Sequence, residues 1–213
     1  MPWPDSRSAH RVTDPRQAAF LADPTRKPYF VPFLARDQTV TMAAREAGCA
    51  PNSMLYRVRT MTALGLLRVV ETRPRAGRAV RIYRSVHDAY FVPFAATPYA
   101  TLQERVEVQG QPLFATLSRA YAAVLADHAH AGHLIARGEN GVVWTTDLPP
   151  RLTDQGQHLV FCDGTVWLTR GEAQDVGDTL MATFEGAIRA DGGPGGAGEP
   201  YLMVVALVPL GRS

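Results

Sequence analysis

Cysteine is nearly absent: the 213 residues hold two, Cys49 and Cys162, far apart in the chain. Two cysteines cannot build a disulfide framework, and the expected setting is the reducing cytoplasm. Long apolar runs are missing too. No uninterrupted stretch approaches the roughly 20 residues of a bilayer-spanning helix, so no membrane partner is expected. The opening MPWPDSRSAH lacks the apolar core of a secretory signal. Lysine is confined to Lys27, so nearly every cation is arginine. The planar, permanently charged guanidinium suits phosphate and base-edge contacts. There is no GxSxG, no HExxH and no phosphate-binding loop with its lysine. With no positive sign of catalysis, neither catalytic residues nor a cofactor are expected.

What is present is an asymmetry of charge. Residues 1–95 carry 15 Lys/Arg against 7 Asp/Glu, while residues 96–213 carry 7 against 13. One half is suited to a polyanion and the other to a different task. The expected organisation is a tail over 1–13, a basic domain over 14–95 and an acidic α+β domain over 96–213.

In the basic half, Asp14 can cap a short helix whose first residue is Pro15, ending near Ala22. Asp23-Pro24 repeats that start signal. The following TRKPYFVPFLAR is apolar enough for a core helix, but Pro28 and Pro32 each remove a backbone donor and predict a kinked or broken one. Thr39 to Ala47 reads as a short helix with Met42, Ala43 and Ala44 available for packing. Gly48 ends it, and a second helix runs from Pro51 or Asn52 to Leu64. There Met54, Leu55, Val58, Met61 and Leu64 recur at 3–4 spacing and form a buried stripe. Asn52, Ser53, Tyr56, Arg57, Arg59 and Thr60 remain for the outer face. Two helices joined by a short Gly-containing turn, the second basic outside, match a helix-turn-helix.

After Gly65, strand-like residues 66–72 and 79–86 flank Arg73-Pro-Arg-Ala-Gly-Arg78, a turn with three arginines. A hairpin with a basic tip directly after a recognition-type helix has a physical logic. The helix enters the major groove, and the tip reaches flanking backbone or a narrow, electronegative minor groove. The candidate DNA-contacting set is therefore Asn52, Ser53, Tyr56, Arg57, Arg59, Thr60, Arg73, Arg75 and Arg78. Arg57, Tyr56, Ser53 and Thr60 are assigned to base edges.

The run Leu21-Ala-Asp-Pro-Thr-Arg26, the helix Thr41-Met-Ala-Ala-Arg-Glu-Ala-Gly48, the helix Asn52–Leu64 and its Leu64-Gly-Leu66 exit resemble the arsenical-repressor (ArsR) type of winged helix-turn-helix regulator. The resemblance covers roughly residues 14–86. It implies a winged helix-turn-helix fold and a transcriptional regulator of the repressor type, binding double-stranded operator DNA as a homodimer. The family's Cys-containing metal motif is absent from the second helix. Three alternatives stand beside this expectation: a winged helix used for protein contacts as an adaptor, a regulator that senses a small molecule in the acidic domain, and a small-molecule-processing enzyme with a winged-helix appendage.

In the acidic half, Pro112 to His128 has Phe114, Leu117, Tyr121, Val124 and His128 at helical spacing and offers a dimer seam. Val142 to Thr145 is strand-like. Residues 159–161 and 166–168 flank an Asp163-Gly164 hairpin signal. Thr169 and Glu172 form a capping box for a helix with Ala173, Val176, Leu180, Phe184 and Ile188 on one face. Tyr201 to Pro209 reads as a last strand. The expected class is α+β: a winged helix-turn-helix followed by a small α+β domain.

Four local signals are weighed and set aside. The pentapeptide YFVPF occurs at 29–33 and 90–94, read as two apolar anchors rather than a duplication. The GPGGAG of 193–198 matches GxGxxG but follows a helix and precedes a strand, the reverse of a dinucleotide site. His128, His130 and His133 span an expected helix end, so no bound metal is expected. Trp144, Trp167, Tyr121 and Phe161 could line an effector pocket, but aromatic residues at such spacing more often build core.

Overall fold

The computed structural model describes residues 8–74, 79–126, 132, 134–138, 143–146, 163–191 and 198–210. The chain divides into two compact units, Pro2–Phe114 and Ala115–Ser213. The sequence expectation ends the basic domain at residue 95. The first unit runs further because the Tyr99 hydroxyl and the Gln109 amide both donate to the Ala22 carbonyl.

The first unit begins with β1 (His10–Arg11) and α1 (Pro15–Ala22). Asp14 caps α1 by accepting the Arg16 backbone N–H at 2.7 Å. That bond holds the Asp14 carboxyl below its usual range. Asp23 does not open a helix as expected. It ends α1, and its carboxylate turns back to accept the Thr25 N–H and hydroxyl. The proline-interrupted stretch breaks as expected, into α2 (Lys27–Phe30) and a 3₁₀ turn, Val31–Phe33. Next come β2 (Gln38–Thr39), α3 (Val40–Glu46) and α4 (Pro51–Ala63). The Thr39 hydroxyl caps α3 through the Met42 N–H. Gly48 and Gly65 follow the two helices with φ of 63° and 70°, a backbone that side chains with a Cβ resist.

β3 (Leu67–Arg73) and β4 (Val80–Ser85) form an antiparallel hairpin, and β2 adds to the outer side of β4. A bulge between Val69 and Glu71 shifts the register, leaving Val70 unpaired. β5 (Tyr90–Phe91) pairs in parallel with β1. The core gathers Val12, Phe30, Phe33, Met54, Val58, Met61, Leu66 and Tyr83. Of the three residues expected to pack on α3, Ala43 and Ala44 are buried, and Met42 is 60 % exposed. The two pentapeptides have different backbones, helical in the first copy and strand then 3₁₀ in the second. They are anchors of one core all the same: Phe30 meets Tyr90 edge to face at 5.5 Å.

α5 (Leu102–Ala126) starts ten residues before the expected Pro112, which lies inside it. The signal lay in Thr101 and Glu104. The Thr101 hydroxyl accepts the Glu104 N–H, and the Glu104 carboxylate accepts the Ala100 N–H.

In the second unit, β6 (Leu134–Arg137) and β7 (Val143–Thr146) form an antiparallel pair. α6 (Arg170–Ala190) carries the expected Thr169–Glu172 capping box. No residue of α6 is buried; on its expected apolar face Ala173, Leu180 and Phe184 are half-buried and Val176 and Ile188 are exposed. Residues 166–168 and 201–209 are not strands, contrary to expectation. The expected partner of 166–168, residues 159–161, lies outside the described residues, and no strand pairs with 201–209 among the described residues. Residues 159–161, Cys162, Val142, the histidines 128, 130 and 133, and residues 193–197 of the glycine-rich loop lie outside the described residues. The chain is thus of mixed helix and strand. Among the described residues no helix is long and apolar enough to cross a membrane.

Candidate nucleic-acid interface

α4 is held from one side only. Met54, Val58 and Met61 are buried by at least 99 %. At 100° per residue, Asn52, Tyr56 and Arg59 fall on the opposite side. All three are exposed, Tyr56 by 70 %. Ser53 is exposed beside them, and the Thr60 hydroxyl donates to the Tyr56 carbonyl at 3.3 Å. Gln17 of α1 steadies the far end of α4 by donating to the Leu64 carbonyl at 2.7 Å.

Arg57, assigned to base edges from the sequence, is half-buried on the flank of α4. It follows Met54 by three residues and precedes Met61 by four, so it shares the flank of the buried stripe. Its guanidinium stacks on the Tyr29 ring, 3.8 Å from the centroid, and donates to the Ser53 carbonyl at 3.4 Å. The broken α2 supplies that tyrosine, a partner that no periodicity within α4 reveals.

Arg73, on the hairpin, makes two bonds to the Glu71 carboxylate, at 2.7 and 3.0 Å. The bond lowers the Glu71 carboxyl and raises the Arg73 guanidinium from their ordinary values. Arg73 is therefore a partly neutralised cation. Arg75 and Arg78 lie outside the described residues.

Pairing thins the positive surplus of this unit unevenly. Arg16, Arg26, Arg36 and Arg84 sit within 3.4 Å of carboxylate oxygens. Arg45 of α3, Arg59 of α4 and Arg81 of β4 are exposed, and no ion pair engages them among the described residues. Sequence reasoning missed Arg45 and Arg81. Arg81 stands between Val80 and Ile82 on the strand, and that alternation could have placed it outward.

Among the described residues, no pocket gathers the aromatic residues suggested for an effector. Trp167 is 88 % exposed, and Phe161 lies outside the described residues. Among the described residues, no group of three or more histidine, cysteine, aspartate or glutamate side chains is placed to hold a metal ion. No protein-family model matches the chain, and no curated protein matches it.

Proposed function

We propose that the first unit is a winged helix-turn-helix module and that the protein is a DNA-binding transcriptional regulator. α3 and α4 are the helix pair, and the β3–β4 hairpin is the wing. The observation that carries this reading is the outer face of α4. Asn52, Tyr56 and Arg59 stand clear of the core on a helix fixed from behind, immediately before a hairpin whose turn holds Arg75 and Arg78. Such a helix has the dimensions and the donors to enter a major groove. An arginine there can grip a guanine edge with two hydrogen bonds, and an asparagine can do the same for adenine. Arg45 and Arg81 add cations that can neutralise phosphates.

The resemblance to the arsenical-repressor type of regulator supports the same reading, with binding as a homodimer to a two-fold related site. The test is selection of bound duplexes from a random library by the full-length protein, repeated with Arg59→Ala. A recurring motif that the variant no longer enriches supports the reading. Failure to enrich any motif, with Arg59→Ala indistinguishable from the parent, counts against it.

A further inference from the structure

An open cleft of about 950 Å³ lies at the base of the hairpin, lined among others by Ser8, His10, Arg68, Arg84, His87 and Asp88. The two histidine rings are stacked, 3.7 Å between centroids and 6° from parallel. Tyr90 meets both edge-on, at 5.9 and 5.6 Å. Arg68 and Arg84 are direct cross-strand partners, and like charges so placed repel. Arg84 is matched by Asp88 at 2.9 Å and Asp37 at 3.3 Å. Arg68 has no such match among the described residues. Asp88, the one acid lining the cleft among the described residues, is thus already engaged, while Arg68, His10 and His87 also line it.

We propose that this cleft binds a dianion of the phosphate-monoester class, gripped by the Arg68 guanidinium and the His10 and His87 imidazoles. A fork of N–H donors beside imidazoles that can take up protons matches the oxygens and charge of such a group. The cations oppose one another without a ligand and are reconciled by one. The His87 imidazole is held below its ordinary value, by burial first and then by the charges of His10 and Arg68 beside it, with Asp88 acting in the opposite direction. Among the described residues, the other charged or titratable groups around the stack are Arg84 from β4, Tyr90 from β5 and Arg11 from β1, whose guanidinium lies over Phe91 at 5.4 Å.

The phosphate could belong to a small ester or to a DNA backbone. Pro74 follows Arg68 by six residues, so the hairpin turn begins about 20 Å away at strand rise. That separation favours a small ester, and the site does not depend on DNA binding by α4.

The experiment follows the histidine ring-proton signals of the full-length protein by NMR. Inorganic phosphate is titrated against chloride at matched ionic strength. Phosphate is expected to move the His10 and His87 signals together and to carry the His87 midpoint to higher pH. Arg68→Gln, at an exposed position, should weaken phosphate binding about tenfold, as expected when a charge-assisted hydrogen bond is removed, with an unchanged thermal melt. A duplex added afterwards identifies the source. Signals that follow the duplex assign the site to backbone phosphate, and signals that ignore it assign the site to a small ester; both support the site. Phosphate acting no differently from chloride, or binding Arg68→Gln as tightly as the parent, overturns the proposal.

Discussion

Arg57 and Arg59 are two residues apart on one helix and have different surroundings. Arg57 stacks on Tyr29, and a cation–π contact of this kind contributes about 0.5–1 kcal/mol at an exposed site. Arg59 points away from the core without an acidic partner among the described residues. Arg57→Ala is therefore expected to lower the thermal midpoint and to weaken DNA binding only through that destabilisation. Arg59→Ala should keep the midpoint and lose about 1–3 kcal/mol of preference for the selected site over random DNA. Melts and binding curves for both variants decide it; the reverse pattern would return the base-reading role to Arg57. Ser85 is a second case where one side chain governs local structure. It is fully buried, and its hydroxyl accepts the N–H of Ala35, a residue held at φ 56°. Ser85→Ala leaves that donor unsatisfied and should cost about 1–3 kcal/mol in a denaturant titration. His87 sets a pH dependence. Its folded form resists protonation, so the unfolded chain binds more protons as pH falls below 6.5, and stability should decline there. In His87→Gln that decline should be reduced in acid melts.

Elements bounded by their own chemistry were legible in the sequence. α1 begins at Asp14-Pro15, α3 at Thr39, α6 at its capping box, and α4 stops where Gly65 turns left-handed. Each such signal acts within four residues, the reach of a hydrogen bond to a helix end. Elements that depend on partner strands were legible only in part: the β3–β4 hairpin and β7 were, and β1 was not. The strand pattern of 201–209 finds no ladder among the described residues, and β1 exists because Tyr90 and Phe91 lie alongside it. The candidate interface divides the same way. The exposure of Asn52, Tyr56 and Arg59 follows from helical period alone. The diversion of Arg57 and the pairing of Arg73 with Glu71 depend on neighbours that the period does not encode. Removing the Thr39 cap of α3 with Thr39→Ala should cost about 1 kcal/mol in a thermal melt. Replacing Arg75 and Arg78 together by alanine should reduce the salt slope of DNA binding by about one unit for each phosphate that is no longer neutralised.

At the scale of the whole molecule, charge separates the two halves, with 15 Lys/Arg against 7 Asp/Glu before residue 96 and 7 against 13 after it. A single helix and wing give a small footprint, and two-fold sites are read by dimers. Light scattering of the protein with a selected duplex is expected to give two chains per duplex; one chain throughout would sink the dimer. The central claim is that the first unit binds DNA through α4 and its cationic surroundings. A gel-shift series on duplex DNA, from low to physiological salt, tests it most directly. Counterion release predicts a linear fall of log K with log salt concentration, with a slope of about −0.9 per phosphate neutralised, and a diminished preference for the selected site in Arg59→Ala. Absence of binding to any duplex at the lowest salt would contradict the account.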